Sequence, residues 1–167
     1  MIQYVTGDAT LPPGSGPKII THCCNDIGAW GAGFVEALSE RWPFAREAYI
    51  DWSNSVATDP ARVDTSGPFK LGEVQLVLVG PKIWVANIIG QHHVGMGPDR
   101  RAPIRYDAIQ RGLQKVHRHV LIHSATVHMP RMGSGLAGGR WDAVENLVKV
   151  ELASKGVSVT VYDLPKS

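Results

Sequence analysis

Two glycine-rich runs in this 167-residue chain have the make-up of anion-binding loops. The first, Asn25-Asp26-Ile27-Gly28-Ala29-Trp30-Gly31-Ala32-Gly33, lies between the apolar segment Lys18-Ile19-Ile20-Thr21-His22-Cys23 and a second one carrying Phe34, Val35, Ala37 and Leu38. The second, Gly133-Ser134-Gly135-Leu136, follows Val127-His128-Met129-Pro130 and precedes a helical pattern that begins near Trp141. Glycine lets a backbone turn sharply and approach a ligand closely, so that its N–H groups can be aimed at phosphate oxygens. A helix start just beyond adds the positive end of its dipole. Two such loops, about 100 residues apart, suit a diphosphate clasped from both sides. Taken singly, each is also what a tight strand-to-helix turn requires.

Three polar residues stand beside these loops. Asn25 can both donate and accept, which suits the vicinal diol of a ribose, and it equally suits an unusual turn conformation. His22 ends an apolar strand three residues earlier, either flanking the loop or bonded to backbone in the core. Asp8 follows the first strand and can accept from an exocyclic amine or cap a turn. Other motifs fail on spacing. Gly28-x-x-Gly31-x-Gly33 reverses the dinucleotide fingerprint, and no Walker-type Gly-Lys-Ser/Thr occurs. Ser134 lacks the flanking glycines of a nucleophile elbow, since Met132 and Leu136 occupy those places. His92-His93 and His117-x-His119 have no carboxylate in register and read as surface or loop histidines, so no metal is expected.

The elements that position these residues follow from periodicity and punctuation. Strands are expected at Ile2 to Thr6, Lys18 to Cys23, Glu73 to Val79, Ile83 to Ile89, Thr126 to Met129 and Ser158 to Tyr162. Helices are expected from Gly33 to about Arg41 and from Pro43 to about Asp51, with Pro43 in a first turn. A third carries the stripe Ile104, Ile109, Leu113 and Val116, and a fourth runs from Trp141 to Leu152. Gly80-Pro81-Lys82 reads as a hairpin turn, and Ser53 to Lys70 and Gly90 to Pro103 as loops. Alternating strands and helices predict an α/β fold whose sheet is covered on both faces, and the hairpin makes that sheet mixed. Both glycine loops then fall at strand carboxyl ends, where such sheets hold ligands. Trp30, an indole set among glycines, is expected to pack across the cleft or over a ligand.

Composition narrows the classes. Hydrophobic residues are 44% and charged residues 19%, ordinary values for a globular chain. A net charge of +2 from scattered basic residues speaks against a nucleic-acid surface. No apolar run is long enough to span a membrane, and no signal peptide is read at Met1-Ile2-Gln3-Tyr4-Val5. The adjacent Cys23 and Cys24 suit neither an ordinary disulfide nor a zinc finger, so a cytoplasmic, reducing location is expected.

In this order, the motifs resemble a macrodomain, the ADP-ribose-binding family, over nearly the whole chain. The resemblance rests on Tyr4-Val5-x-Gly7-Asp8, Ile20-x-His22-Cys23-x-Asn25 and Trp30-Gly31-Ala32-Gly33. It continues through Arg41-Trp42-Pro43, Leu71-Gly72, Met129-Pro130-Arg131-Met132-Gly133-Ser134-Gly135-Leu136, Trp141 and Thr160-Val161-Tyr162. The pattern is most similar to the branch of ADP-ribose-1''-phosphate phosphatases and terminal ADP-ribose protein glycohydrolases. It implies a single macrodomain over residues 1–167, a three-layer α/β/α fold with a mixed, mostly parallel sheet of about six strands.

The resemblance also implies roles. Asp8, with Ala9 beside it, and Tyr162 would serve the adenine end. Trp30, Gly31, Ala32 and Gly33, with Met132, Gly133, Ser134, Gly135 and Leu136, would bind the diphosphate and distal ribose. Asn25 would orient the ribose hydroxyls beside His22, and Ile89, Gly90 and Gln91 would line the same end. Glycohydrolases of this branch use a lysine at the end of the strand here reading Ala86-Asn87-Ile88-Ile89-Gly90-Gln91, and an aspartate where this chain has Ala137. Neither is present, so a lysine–ribose intermediate is not implied. The expected activity is hydrolysis of mono-ADP-ribose from acidic side chains of modified proteins. Water would attack directly, with Asn25, His22 and Gln91 as the catalytic candidates and no cofactor. The alternatives are a phosphatase using His22 and a non-catalytic reader.

Overall fold

The computed structural model describes residues 1–95, 101–135 and 137–165. Seven strands form one sheet: β1 (Ile2–Thr6), β2 (Lys18–Asn25), β3 (Val63–Thr65), β4 (Val74–Gly80), β5 (Ile83–Gln91), β6 (Thr126–Met129) and β7 (Val159–Asp163). Their spatial order is β1-β7-β6-β2-β5-β4-β3. The four pairings from β1 across to β5 are parallel, and β4 pairs antiparallel with both β5 and β3. The sheet is therefore mixed and mostly parallel, with seven strands where the sequence gives about six. The additional strand is β3, three residues inside the polar stretch expected to be a loop. Only its Val63 is buried, so it carries no alternation to read.

Helices α1 (Phe34–Arg41) and α2 (Pro43–Ser53) cover one face, and α3 (Tyr106–His123) and α4 (Trp141–Glu151) the other. On the first face, Ile20 and Val85 pack with Leu38 and Ala45, and Cys24 and Ile89 with Tyr49 and Trp52. On the second, Ile19, Ala86 and Ile88 meet Ile109, Leu113, Val144 and Val148. β2 is buried on both faces, which explains its near-continuous apolar run. Successive side chains go to opposite helical layers, so Ile20, His22 and Cys24 share the α1/α2 face. Among the described residues, no helix is long and apolar enough to cross a membrane.

Both strands that reach the glycine runs extend further than expected. β2 continues to Asn25, and β5 takes in Gly90 and Gln91. A bulge lies between them: Cys24 pairs with Ile89, but Asn25 pairs with Gln91. Gly90 is the extra residue, and a Cβ there would lie 2.7 Å from Ile109 Cγ1 and 2.9 Å from Cys23 Sγ. Bulges of this kind re-aim side chains next to functional sites.

α3 approaches β5 over Gly112, where an added Cβ would stand 2.5 Å from Ile88 Cγ2. Alanine is the better helix former by about 1 kcal/mol, but overpacking a filled core costs about 1–3 kcal/mol. Gly112→Ala is therefore expected to lower stability by about 1 kcal/mol in urea denaturation. Unchanged or raised stability would mean that helix and sheet can separate at this contact.

Candidate functional site

The chain turns in opposite directions from two neighbouring strands. From β2 it passes to α1 on one face of the sheet, and from the adjacent β6 to α4 on the other. This is the point in an open α/β sheet where a crevice forms outside the strand carboxyl ends. A cleft of about 280 Å³ lies there. One side is built from Trp30, Gly31, Ala32 and Gly33, the other from Met132, Gly133 and Gly135. His22, Asn25 and Gln91 line it between them.

Gly33 caps α1 with φ 89° and ψ −132°, a conformation open essentially to glycine alone. Gly133 has φ 79°, and a Cβ on it would strike Ile104 Cδ1 at 2.7 Å. Arg131 also lines the cleft and is the one cationic side chain there among the described residues. Its guanidinium is engaged by both oxygens of Asp163, at 2.7 and 3.0 Å. What the cleft offers an anion is thus loop N–H groups rather than a free cation.

Asn25 is fixed by its own loop. Its Oδ1 accepts from the N–H groups of Ile27 (3.1 Å) and Ala29 (3.2 Å), and its Nδ2 donates to the Ala29 carbonyl. The Tyr49 hydroxyl lies 2.7 Å from the Asn25 carbonyl and 2.9 Å from its Oδ1. The side-chain oxygen is therefore occupied, and the amide acts as a clamp that shapes the glycine loop. Through the bulge, Gln91 stands opposite Asn25, with its Nε2 donating to the His93 carbonyl at 2.9 Å.

His22 is 2% exposed, and its protonation is set by a row of buried amides. Gln75 Nε2 donates to the Ala48 carbonyl at 2.8 Å, and Asn87 Nδ2 donates to Gln75 Oε1 at 3.0 Å. That leaves Asn87 Oδ1 as an acceptor for His22 Nε2–H at 2.5 Å. The proton is thereby assigned to Nε2, and Nδ1 carries the lone pair. Burial pushes the His22 pKa down to about 4, against the Asn87 bond, which pulls it up. His22 is thus neutral near pH 7 and holds no ready proton for a leaving group. Trp30 packs edge-on against His22 (ring centroids 5.6 Å apart) and beside Tyr49 (5.4 Å). Its Nε1 donates to the Val35 carbonyl at 2.9 Å, so the indole is built into the wall at the start of α1.

Six of the residues singled out from the sequence lie outside this wall. Asp8 Oδ1 accepts from the N–H and hydroxyl of Thr10, at 2.9 and 2.7 Å, and Arg41 stands 3.7 Å away. Burial raises the Asp8 pKa, but the Thr10 bonds and Arg41 outweigh it, and the carboxyl falls below its ordinary value. Ala9, Ile89 and Gly90 are buried. Ser134 Oγ turns back to the Arg131 carbonyl at 2.6 Å, and the Tyr162 hydroxyl meets His128 Nδ1 at 2.7 Å. Leu136 lies outside the described residues. Conversely, Tyr49, Cys24 and Val94 line the cleft without having been picked out. Tyr49 belongs to the stripe Ala45, Ala48, Tyr49 and Trp52, which reads as core, and only its hydroxyl hints at a polar task.

No model of a known protein family matches the chain. Its structure is similar to that of a protein of unknown function from Bacteroides thetaiotaomicron, at 49% identity and a TM-score of 0.90 over 98% of both chains. It is similar too to a macrodomain protein from Streptomyces coelicolor, at 45% identity and a TM-score of 0.80 over 98% of this chain and 99% of that one. The chain belongs to the macrodomain family. Among curated relatives, the chromodomain-helicase-DNA-binding protein 1-like of Danio rerio is 30% identical over 165 residues, 96% of this chain. That match is 15% of the relative's length, so the chain spans less than a fifth of it. The ADP-ribose 1''-phosphate phosphatase of Saccharomyces cerevisiae is 40% identical over 50 residues, 30% of this chain.

The buried histidines govern acid stability. Folded His22 and His128 both resist protonation down to about pH 4, burial being the first cause in each. Their ordinary value is 6.5, so on acidification the unfolded chain takes up protons first. Stability is accordingly full above about pH 6.5 and is lost as pH falls towards 4. At pH 5 the expected loss is roughly 2 kcal/mol for each histidine, measured by urea denaturation at pH 7 and 5. A flat profile would contradict a buried, neutral His22.

Proposed function

We propose that the cleft binds ADP-ribose and that the protein hydrolyses mono-ADP-ribose from acidic side chains of modified proteins, water attacking directly. The observation that carries this reading is the pairing of two glycine loops across a floor of Asn25, His22 and Gln91. Membership of the macrodomain family and the names of the phosphatase relatives support ADP-ribose as the ligand.

Among the described residues, neither a lysine nor a carboxylate lines the cleft. A covalent lysine–ribose route therefore has no nucleophile here. An ester at the anomeric carbon does not need one. Water adds to that carbon, its bond to the ester oxygen breaks, and the side chain departs as a carboxylate. That leaving group is stable at neutral pH and requires no proton from the protein. The water's proton passes to solvent or to the ligand's own phosphate. What remains for the protein is to hold the distal ribose and the water in line.

The absence of acid and nucleophile equally favours a second reading, a non-catalytic reader of ADP-ribose. Phosphatase action with His22 as acid is disfavoured by its neutral, Asn87-bonded state.

The deciding measurement is release of ADP-ribose from a glutamate- or aspartate-modified protein, with binding followed by Trp30 fluorescence. The wild-type chain is expected to release it, and Asn25→Ala to slow release by roughly 10–100-fold as the loop loses its clamp. Binding without release would establish the reader instead. Absence of both would overturn the ligand assignment.

A further inference from the structure

Outside the cleft, the fold collects two imidazoles and a carboxylate that sequence spacing does not bring together. Asp26 follows the last residue of β2, and His92 and His93 follow β5. His92 Nδ1 lies 2.7 Å from Asp26 Oδ2, and the N–H of His93 donates to Asp26 Oδ1 at 2.7 Å. The two imidazole rings are 3.9 Å apart between centroids. Adjacent residues on an extended chain send their side chains to opposite sides. Here His93 adopts φ 59°, a left-handed conformation uncommon for a residue other than glycine. The bond from the His93 N–H to Asp26 Oδ1 holds this turn and stations the second imidazole beside the first.

The positions are also anchored. The Asp26 N–H donates to the Gln91 carbonyl at 3.0 Å, and the His92 N–H to the Pro103 carbonyl at 2.7 Å. One donor atom from each of Asp26, His92 and His93 lies within 4.8 Å of the others. Around a tetrahedral zinc ion, with bonds near 2.0–2.2 Å, such atoms sit about 3.4 Å apart. Rotation of the exposed His93 ring, with the His92–Asp26 contact widening from its 2.7 Å, can supply the difference. We infer that Asp26, His92 and His93 form a binding site for a divalent transition-metal ion of the zinc type. Three protein donors leave one coordination position for water or a ligand. The ion would tie the end of β2 to the segment leaving β5, immediately beside Asn25 and Gln91. It would therefore stiffen the rim of the cleft without entering it.

The test uses chelator-stripped chain made without a histidine tag, titrated with Zn²⁺ in a calorimeter and with Co²⁺ in a spectrophotometer. One ion per chain is expected, with the visible absorption of tetrahedral cobalt. The melting temperature should rise by about 5–10 °C at a hundredfold excess over Kd. His93→Ala should weaken Zn²⁺ binding by at least about tenfold. It should still melt, metal-free, at the temperature of the stripped wild-type chain, which separates loss of a ligand from loss of the fold. Non-saturating or sub-stoichiometric binding, or the same affinity in His93→Ala, would overturn the site. None of these readouts depends on ADP-ribose binding or turnover.

Discussion

The constraint on which this structure depends is that the row of polar side chains buried beneath α2 must be fully paired. The adjacent strands β2, β5 and β4 bring His22, Asn87 and Gln75 side by side across one face, all three buried. Each would cost about 1–3 kcal/mol if left without a partner in that interior. The row closes only in one register, with Gln75 reaching the Ala48 carbonyl of α2 and His22 reaching Asn87. A slip of one residue would turn every side chain of a strand to the opposite helical layer. The row thus selects strand register and helix position together. It also delivers His22 to the cleft in a single tautomer.

From that fixed register the cleft follows by small local departures. The bulge at Gly90 brings Gln91 opposite Asn25, where regular pairing would have placed Gly90. Tyr49 then crosses from α2 to the carbonyl and side-chain oxygen of Asn25, joining helix, strand end and glycine loop in one contact. Trp30 is held between His22, Tyr49 and the first turn of α1. A loop rich in glycine would otherwise sample many conformations. Here a clamped amide and a wedged indole restrict it, so its N–H groups are arranged before any ligand arrives.

Much of this was legible in the sequence because burial leaves a period. β6 has the bounds its buried run implies, β1 those set by the turn at Gly7-Asp8, and both glycine runs stand at strand ends on the cleft. What periodicity cannot show is contact across space. Asp26 and His92 are separated by 66 positions, so no local register pairs them. The strand β3 escaped notice because one buried valine makes no pattern. Tyr49 was hidden for the opposite reason, since its apolar stripe is fully explained by packing while its hydroxyl does something else. Asp8 adds a local case: its carboxylate accepts from Thr10 and lies 3.7 Å from Arg41, contacts that periodicity does not show.

The chemistry open to such a site is set by what its wall lacks. With no lysine and no carboxylate among its described residues, and with His22 held neutral, the cleft offers neither a nucleophile nor a strong acid or base. A bond whose leaving group must be protonated would gain little from it. An anomeric ester departs as a carboxylate, and for that bond orientation alone can supply several kcal/mol of barrier reduction. The same rigidity that suits a reader therefore suffices for a hydrolase, provided the bond presented is already labile. Specificity for acidic side chains would then arise from the reactivity of the linkage, and the protein would need only to position it.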